Sequence, residues 1–146
     1  MWFGHEAEPS LENPTYGTAR CLRALEAVAH RQLPGLADAR RRGLDWLLAA
    51  QGPDGGWGGA AGIAPSVEET ALAVDALAGS DDVADLTAQV RAARRRGAEW
   101  LAQSIEAGAL DRATPIGFYF ANLWYFEALY PIAFAVSALR RALAVD

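Results

Sequence analysis

Apolar positions in this chain recur at helical spacing. Over residues 36–51, Leu44, Leu47 and Leu48 share one face, with Trp46 and Gln51 near its edges. The run stops at Gly52-Pro53-Asp54-Gly55-Gly56, because proline lacks an N–H and glycine accepts a left-handed turn. Trp57 follows at a fixed distance from Gln51. A glutamine side chain both donates and accepts, so it can bond the exposed backbone at one helix end and at the start of the next. The indole can pack against the turn while its N–H finds an acceptor. The same periodicity predicts helices over residues 16–31, 66–79, 83–105 and 131–145. Ser66 with Glu69 three residues on reads as a capping box, and Pro131 suits a first helical position. No segment shows sustained period-two alternation, so the expected fold is all-α.

The helical pattern repeats. Arg40-Arg41-Arg42-Gly43-Leu44-Asp45-Trp46-Leu47 returns as Arg94-Arg95-Arg96-Gly97-Ala98-Glu99-Trp100-Leu101, an offset of 54 residues. Thr18-Ala19-Arg20-Cys21-Leu22 returns as Thr70-Ala71-Leu72-Ala73-Val74, an offset of 52. A looser third copy begins at Ile132. Two helices in each period near fifty residues indicate stacked helical hairpins, each of which needs its neighbours to bury its apolar face. Stepping back 55 residues from Trp57 lands on Trp2. Trp2 therefore reads as the closing tryptophan of an earlier repeat, and residues 1–146 as a C-terminal portion that starts inside a repeat.

Composition narrows the function. The formal charge of −5 and pI near 5.0 argue against a nucleic-acid partner. The two triple-arginine runs recur at helix starts, which suits a solvated outer face. One cysteine, Cys21, lies on an apolar helix face and reads as a buried structural thiol. His5 and His30 lack spaced cysteine or carboxylate partners, so no metal site is readable. The Gly55-Gly56-Trp57-Gly58-Gly59 run lacks the lysine and hydroxyl residue of a phosphate loop. Asp81-Asp82-Val83-Ala84-Asp85 sits at a helix start and reads as capping. No signal peptide or run of transmembrane length is visible.

Several motifs occur together in one order. Gln51-Gly52-Pro53-Asp54-Gly55-Gly56-Trp57, the helix start at Tyr16-Gly17-Thr18, and Gly117-Phe118-Tyr119-Phe120-Ala121-Asn122-Leu123-Trp124-Tyr125-Phe126 followed by Tyr130-Pro131 resemble the triterpene cyclases, squalene–hopene cyclase and oxidosqualene cyclase. The resemblance spans nearly the whole chain. It implies part of an α/α barrel, or toroid, of alternating inner and outer helices. The helices starting near Tyr16, Ser66 and Pro131 would be inner, and those with the Arg-Gly-x-x-Trp pattern outer. Trp2, Trp46, Gln51, Asp54, Gly56, Trp57 and Trp100 would then be structural repeat positions.

The resemblance also implies a chemistry. A carboxylic acid protonates an alkene or epoxide of a polyprenyl chain, and aromatic faces stabilise the cations that follow. A closed apolar cavity keeps water away. Carried over position by position, the cavity residues are Tyr16, Leu72, Tyr119, Leu123 and Phe126, with ordinary core packing as the other reading of the aromatic cluster. Leu72 and Leu123 stand where an aromatic residue is usual. Ala50 stands where hopene cyclases often place a histidine, and Gly58-Gly59-Ala60-Ala61 where they carry an acidic residue and a cysteine. The acid of the family comes from an Asp-x-Asp-Asp motif absent here, so no catalytic residue is assigned.

Three readings follow. In the first, the chain is the C-terminal portion of a squalene–hopene-like cyclase, inactive alone, for a squalene-like polyprenyl substrate and without a cofactor or metal. In the second it is a non-catalytic helical-repeat scaffold. In the third it is a subunit that completes its barrel with a missing N-terminal part or a partner chain. The resemblance further implies a cytoplasmic location with peripheral membrane contact, since the substrates of such enzymes partition into lipid.

Overall fold

The computed structural model describes residues 12–31, 33–111, 114–118 and 123–145, with backbone alone for 84, 111, 114–118 and 123–127. Five helices make the fold: α1 (Pro14–Ala27), α2 (Leu36–Ala50), α3 (Val67–Ala78), α4 (Thr87–Glu106) and α5 (Leu129–Ala144). Short 3-10 turns lie at Ala29–Arg31, Ala84–Leu86 and Ala109–Asp111. The fold is helical, as the periodicity implies.

Local chemistry sets the boundaries. α1 starts at Pro14, two residues before the expected start, because Asn13 caps it: the Tyr16 N–H donates to Asn13 Oδ1 at 2.9 Å. Proline is at ease in a first turn, where its missing N–H costs nothing. Ser66 caps α3 by accepting from the Glu69 N–H at 3.2 Å, and its hydroxyl donates to the Glu69 carboxylate. Its own backbone N–H donates to the Trp57 carbonyl at 3.0 Å, so the capping box is only half formed. α4 starts at Thr87 rather than 83, after the 3-10 turn. α5 starts at Leu129, so Pro131 falls inside its first turn.

One departure from the all-helical pattern is local. Within the aromatic-rich stretch, β1 (Thr114–Phe118) and β2 (Leu123–Glu127) pair antiparallel, with Ile116 opposite Tyr125 and Phe118 opposite Leu123. Aromatic and branched residues favour extended backbone when they can pack across a ribbon. Each strand is too short for periodicity to reveal it.

The helices form two layers, and side-chain bonds fix their directions. Near their starts, α1 and α3 are joined by Asn13 Nδ2, which donates to Glu69 Oε1 at 2.8 Å. Near their ends, Arg23 pairs with Asp75 at 2.7 Å. α1 and α3 are therefore parallel. Arg141, near the end of α5, reaches Glu26 at 3.0 Å and Asp75 at 3.2 Å, so α5 is parallel to both. α2 runs the other way: Arg40 near its start donates to the Gly79 carbonyl just past the end of α3. α4 follows α2, with Arg94 on Asp81 and Trp100 on Asp54. Helix α3 lies at the centre, packed on α1, α4 and α5, and most of its residues are buried.

The repeat is visible in three dimensions. Gly43 of α2 meets Leu22 of α1, and Gly97 of α4 meets Val74 of α3. Leu22 and Val74 are themselves repeat equivalents. In both hairpins the glycine lets the second helix approach the first closely.

Candidate functional site

Trp57 is the centre of the inter-repeat joint. Its indole is fully buried, and Nε1 donates to the Leu47 carbonyl at 2.8 Å. Its backbone N–H donates to Thr70 Oγ1 at 2.9 Å, and that hydroxyl returns a bond to the Trp57 carbonyl. One residue thus ties the end of α2 to the start of α3, and its ring lies on Gly97 of α4. The carbonyls at a helix end lack intrahelical partners, which is why an indole donor stabilises this position.

Gln51 works beside it. Its Nε2 donates to the Gly55 carbonyl and to the Ala93 carbonyl of α4, each at 2.9 Å, while Oε1 accepts from Arg96. The side chain spends both its donor and its acceptor across the junction of two repeats. Asp54 accepts from the Gly56 N–H and from Trp100 Nε1, both at 3.2 Å. Gly55 has φ +97°, and an added Cβ there would lie 2.9 Å from the Arg96 carbonyl. At Gly56 a Cβ would lie 2.5 Å from Pro65 and 2.9 Å from Trp100. Trp46 is half-buried against the core. Trp2 lies outside the described residues.

Of the expected cavity residues, two have described side chains. Tyr16 is half-buried in the first turn of α1, and Leu72 is buried on the neighbouring α3. Leu123 and Phe126 lie on β2, where only the backbone is described. Tyr119 lies outside the described residues. Among the described residues no group of three or more histidine, cysteine or acidic side chains is placed to hold a metal ion. No described helix is long and apolar enough to cross a membrane.

Two charged clusters escape the sequence reading. Arg40 is buried and grips Asp82 with both terminal nitrogens, each at 2.6 Å. That hydrogen bond holds the Asp82 carboxyl below the usual carboxylate range and pushes the Arg40 guanidinium further up. Its repeat equivalent Arg94 is 1% exposed and pairs with the adjacent Asp81 at 3.0 Å, joined by Arg91. The first arginine of each run is thus interior, and only the later members, Arg41, Arg42, Arg95 and Arg96, are exposed. Burial of Arg40 and Arg94 corrects the expectation of a fully solvated run. Asp81 and Asp82 are ion-pair partners rather than helix caps. The usable signal was a repeated arginine facing an Asp-Asp pair one helix away.

The second cluster joins three helices. Arg23 and Glu26 of α1, Asp75 of α3, and Arg141 and Ser137 of α5 contact one another near the helix ends. Cys21 is half-buried rather than buried, because α1 turns Ala19 and Leu22 toward the core instead.

A two-layer array of helical hairpins, cross-tied by a Gln–Trp element, defines the class of protein. Residues 1–143 match the squalene-hopene cyclase C-terminal domain, and the chain belongs to that family. It is 34% identical over 132 residues to the copalyl diphosphate synthase of Streptomyces cyslabdanicus, covering 90% of this chain and 22% of that protein. It is 48% identical over 65 residues to the terpentedienyl-diphosphate synthase of Kitasatospora griseola, covering 44% of this chain and 12% of that protein. The chain therefore spans about a fifth or less of the relatives' length. No solved structure is a significant match.

Proposed function

We propose that residues 1–146 form the C-terminal portion of a terpene cyclase, supplying scaffold and part of the apolar wall around a polyprenyl chain. The family match over residues 1–143 carries this reading. Tyr16 and Leu72 take the cavity side of α1 and α3, with Tyr119, Leu123 and Phe126 added from the aromatic stretch. A π face there attracts developing positive charge without acting as a nucleophile. Gln51, Asp54, Gly56, Trp57 and Trp100 hold the wall in place, and Trp2 and Trp46 complete the repeat pattern. The proton-donating acid comes from outside these residues. In the complete protein the row α1, α3, α5 lines the inside of an α/α barrel, and α2 and α4 its outside.

The family resemblance implies a squalene-like substrate. The names of both relatives end in diphosphate synthase, which favours a polyprenyl chain that carries a diphosphate. Peripheral contact with a membrane is a lesser part of this reading, since long polyprenyl chains partition into lipid.

The test is complementation. Purified chain is incubated with squalene and with a linear polyprenyl diphosphate, alone and mixed with the Streptomyces cyslabdanicus enzyme truncated before the shared region. The expected result is cyclised product only in the mixture. Turnover by this chain alone refutes an external acid. A mixture that stays inactive, while the truncated enzyme is rescued by its own C-terminal segment, favours a non-catalytic scaffold.

A further inference from the structure

Helix α5 docks with its small face. The buried positions are Pro131, Ala135, Ala138 and Ala142, with Phe134 and Leu139 packed partly against the core. Two of its other aliphatic residues point away: Val136 is 51% exposed and Leu143 78%. Alanine contacts permit close approach to α3 but remove little apolar area from water for each residue. The remaining attachment is polar. Arg141 Nη2 donates to both Glu26 oxygens at 3.0 and 3.2 Å, and its Nε lies 3.2 Å from Asp75 Oδ1. Ser137 Oγ donates to Asp75 at 3.3 Å.

Charge makes this attachment conditional. The three parallel helices bring their C-terminal ends toward the same place, and each end carries a partial negative charge. Glu26 and Asp75 add two carboxylates there, and Arg23 supplies one cation from within α1. When α5 arrives it brings a third helix end, and Arg141 is the cation that offsets it. Without Arg141, a negative helix end would face two carboxylates paired with Arg23, while Arg40 of α2, which also acts on Glu26, is already committed to Asp82. The side chains of Arg23, Glu26 and Arg141 are roughly a third exposed, so salt reaches them.

We propose that α5 is a salt-sensitive strap, latched by Arg141 on Glu26 and Asp75, which releases as a unit while the α1–α4 array stays folded. Release uncovers the face of α3 on which α5 lies. Such a separable element is a local unfolding unit whose opening free energy lies below that of global unfolding.

Amide hydrogen exchange on the full 146-residue chain tests this. In Arg141→Met, which keeps an unbranched apolar stem and removes the charge, amides 135–143 are expected to lose protection about fivefold. Amides in α2 and α4 are expected to stay unchanged. In the unaltered chain, 1 M NaCl should reproduce the selective loss, so the test does not depend on the variant folding. Unchanged protection of α5 in both experiments overturns the proposal. So does a loss of protection spread equally over all five helices.

Discussion

Gly43 and Gly97 occupy the same place in the repeat, yet alanine should have different effects at the two. Both are helix-interior glycines, so alanine gains about 1 kcal/mol of helix propensity at each. The difference lies in what the methyl meets. At Gly97 it would lie 2.6 Å from Trp57 Cζ3 and 2.6 Å from Val74 Cγ2. Both side chains are fully buried, and Trp57 is held by its indole donor and by Thr70. Neither can move without breaking a bond or a rotamer, and overpacking of this kind costs about 1–3 kcal/mol. At Gly43 the methyl would meet Leu22 Cδ2 at 2.9 Å and Cγ at 3.0 Å, on a buried side chain that, unlike Trp57, has no polar tether. A shift of a few tenths of an ångström by that untethered side chain relieves it. Gly97→Ala should therefore destabilise by about 1 kcal/mol net, and Gly43→Ala should fall within about 0.5 kcal/mol of neutral or stabilise. Urea unfolding followed by circular dichroism reads both, with unchanged slope and a lower midpoint expected only for Gly97→Ala. Equal midpoints for the two variants, or a higher one for Gly97→Ala, would refute the reasoning from Trp57.

Other expectations follow from the same joint and from the charged clusters. Trp57→Phe removes the donor to the Leu47 carbonyl and should cost about 2 kcal/mol, seen as a lower urea midpoint; an unchanged midpoint would show that water or another donor replaces the indole. Gln51→Leu loses the bonds to the Gly55 and Ala93 carbonyls and should cost about 1–2 kcal/mol, with faster amide exchange at residues 52–57 as its local signature. Asp82, held below the usual carboxylate range by Arg40, contributes stability that is complete above the unfolded value near pH 4 and is lost as the pH falls through the lower folded value. Because that carboxylate is largely exposed the contribution is below about 1 kcal/mol, and Asp82→Asn should flatten the fall in melting temperature between pH 5 and 2; an unaltered acid slope would contradict it. Gly79→Ala would drive a methyl into the Glu26 carboxylate, so the loss of protection should appear first at the Arg23–Glu26–Asp75–Arg141 cluster.

Much of the scaffold is legible in the sequence. Leucine spacing, the Ser66–Glu69 box and the glycine-proline stops are local signals, so they read the same in the chain and in the fold. The repeat offsets also announced that Gly43 with Gly97, and Leu22 with Val74, play equivalent parts. The candidate cavity was legible only through resemblance, since an aromatic in a cavity and an aromatic in a core have the same periodicity.

By itself the sequence determined the helices, their repeat, and the Gln51-to-Trp57 turn, because each depends on neighbours within a few residues or on an internal copy. The bonds from that turn to Thr70, Ala93 and Arg96 are tertiary. Tertiary structure alone decided which arginine of each run is buried, where Asp81 and Asp82 find their partners, and which face α5 presents to α3. Those outcomes depend on residues brought together from separate helices, where desolvation and pairing are settled by distance in space. Tertiary structure also paired residues 114–118 with 123–127 in a two-stranded ribbon. A strand pair is stabilised by bonds between segments, and no single segment carries that information.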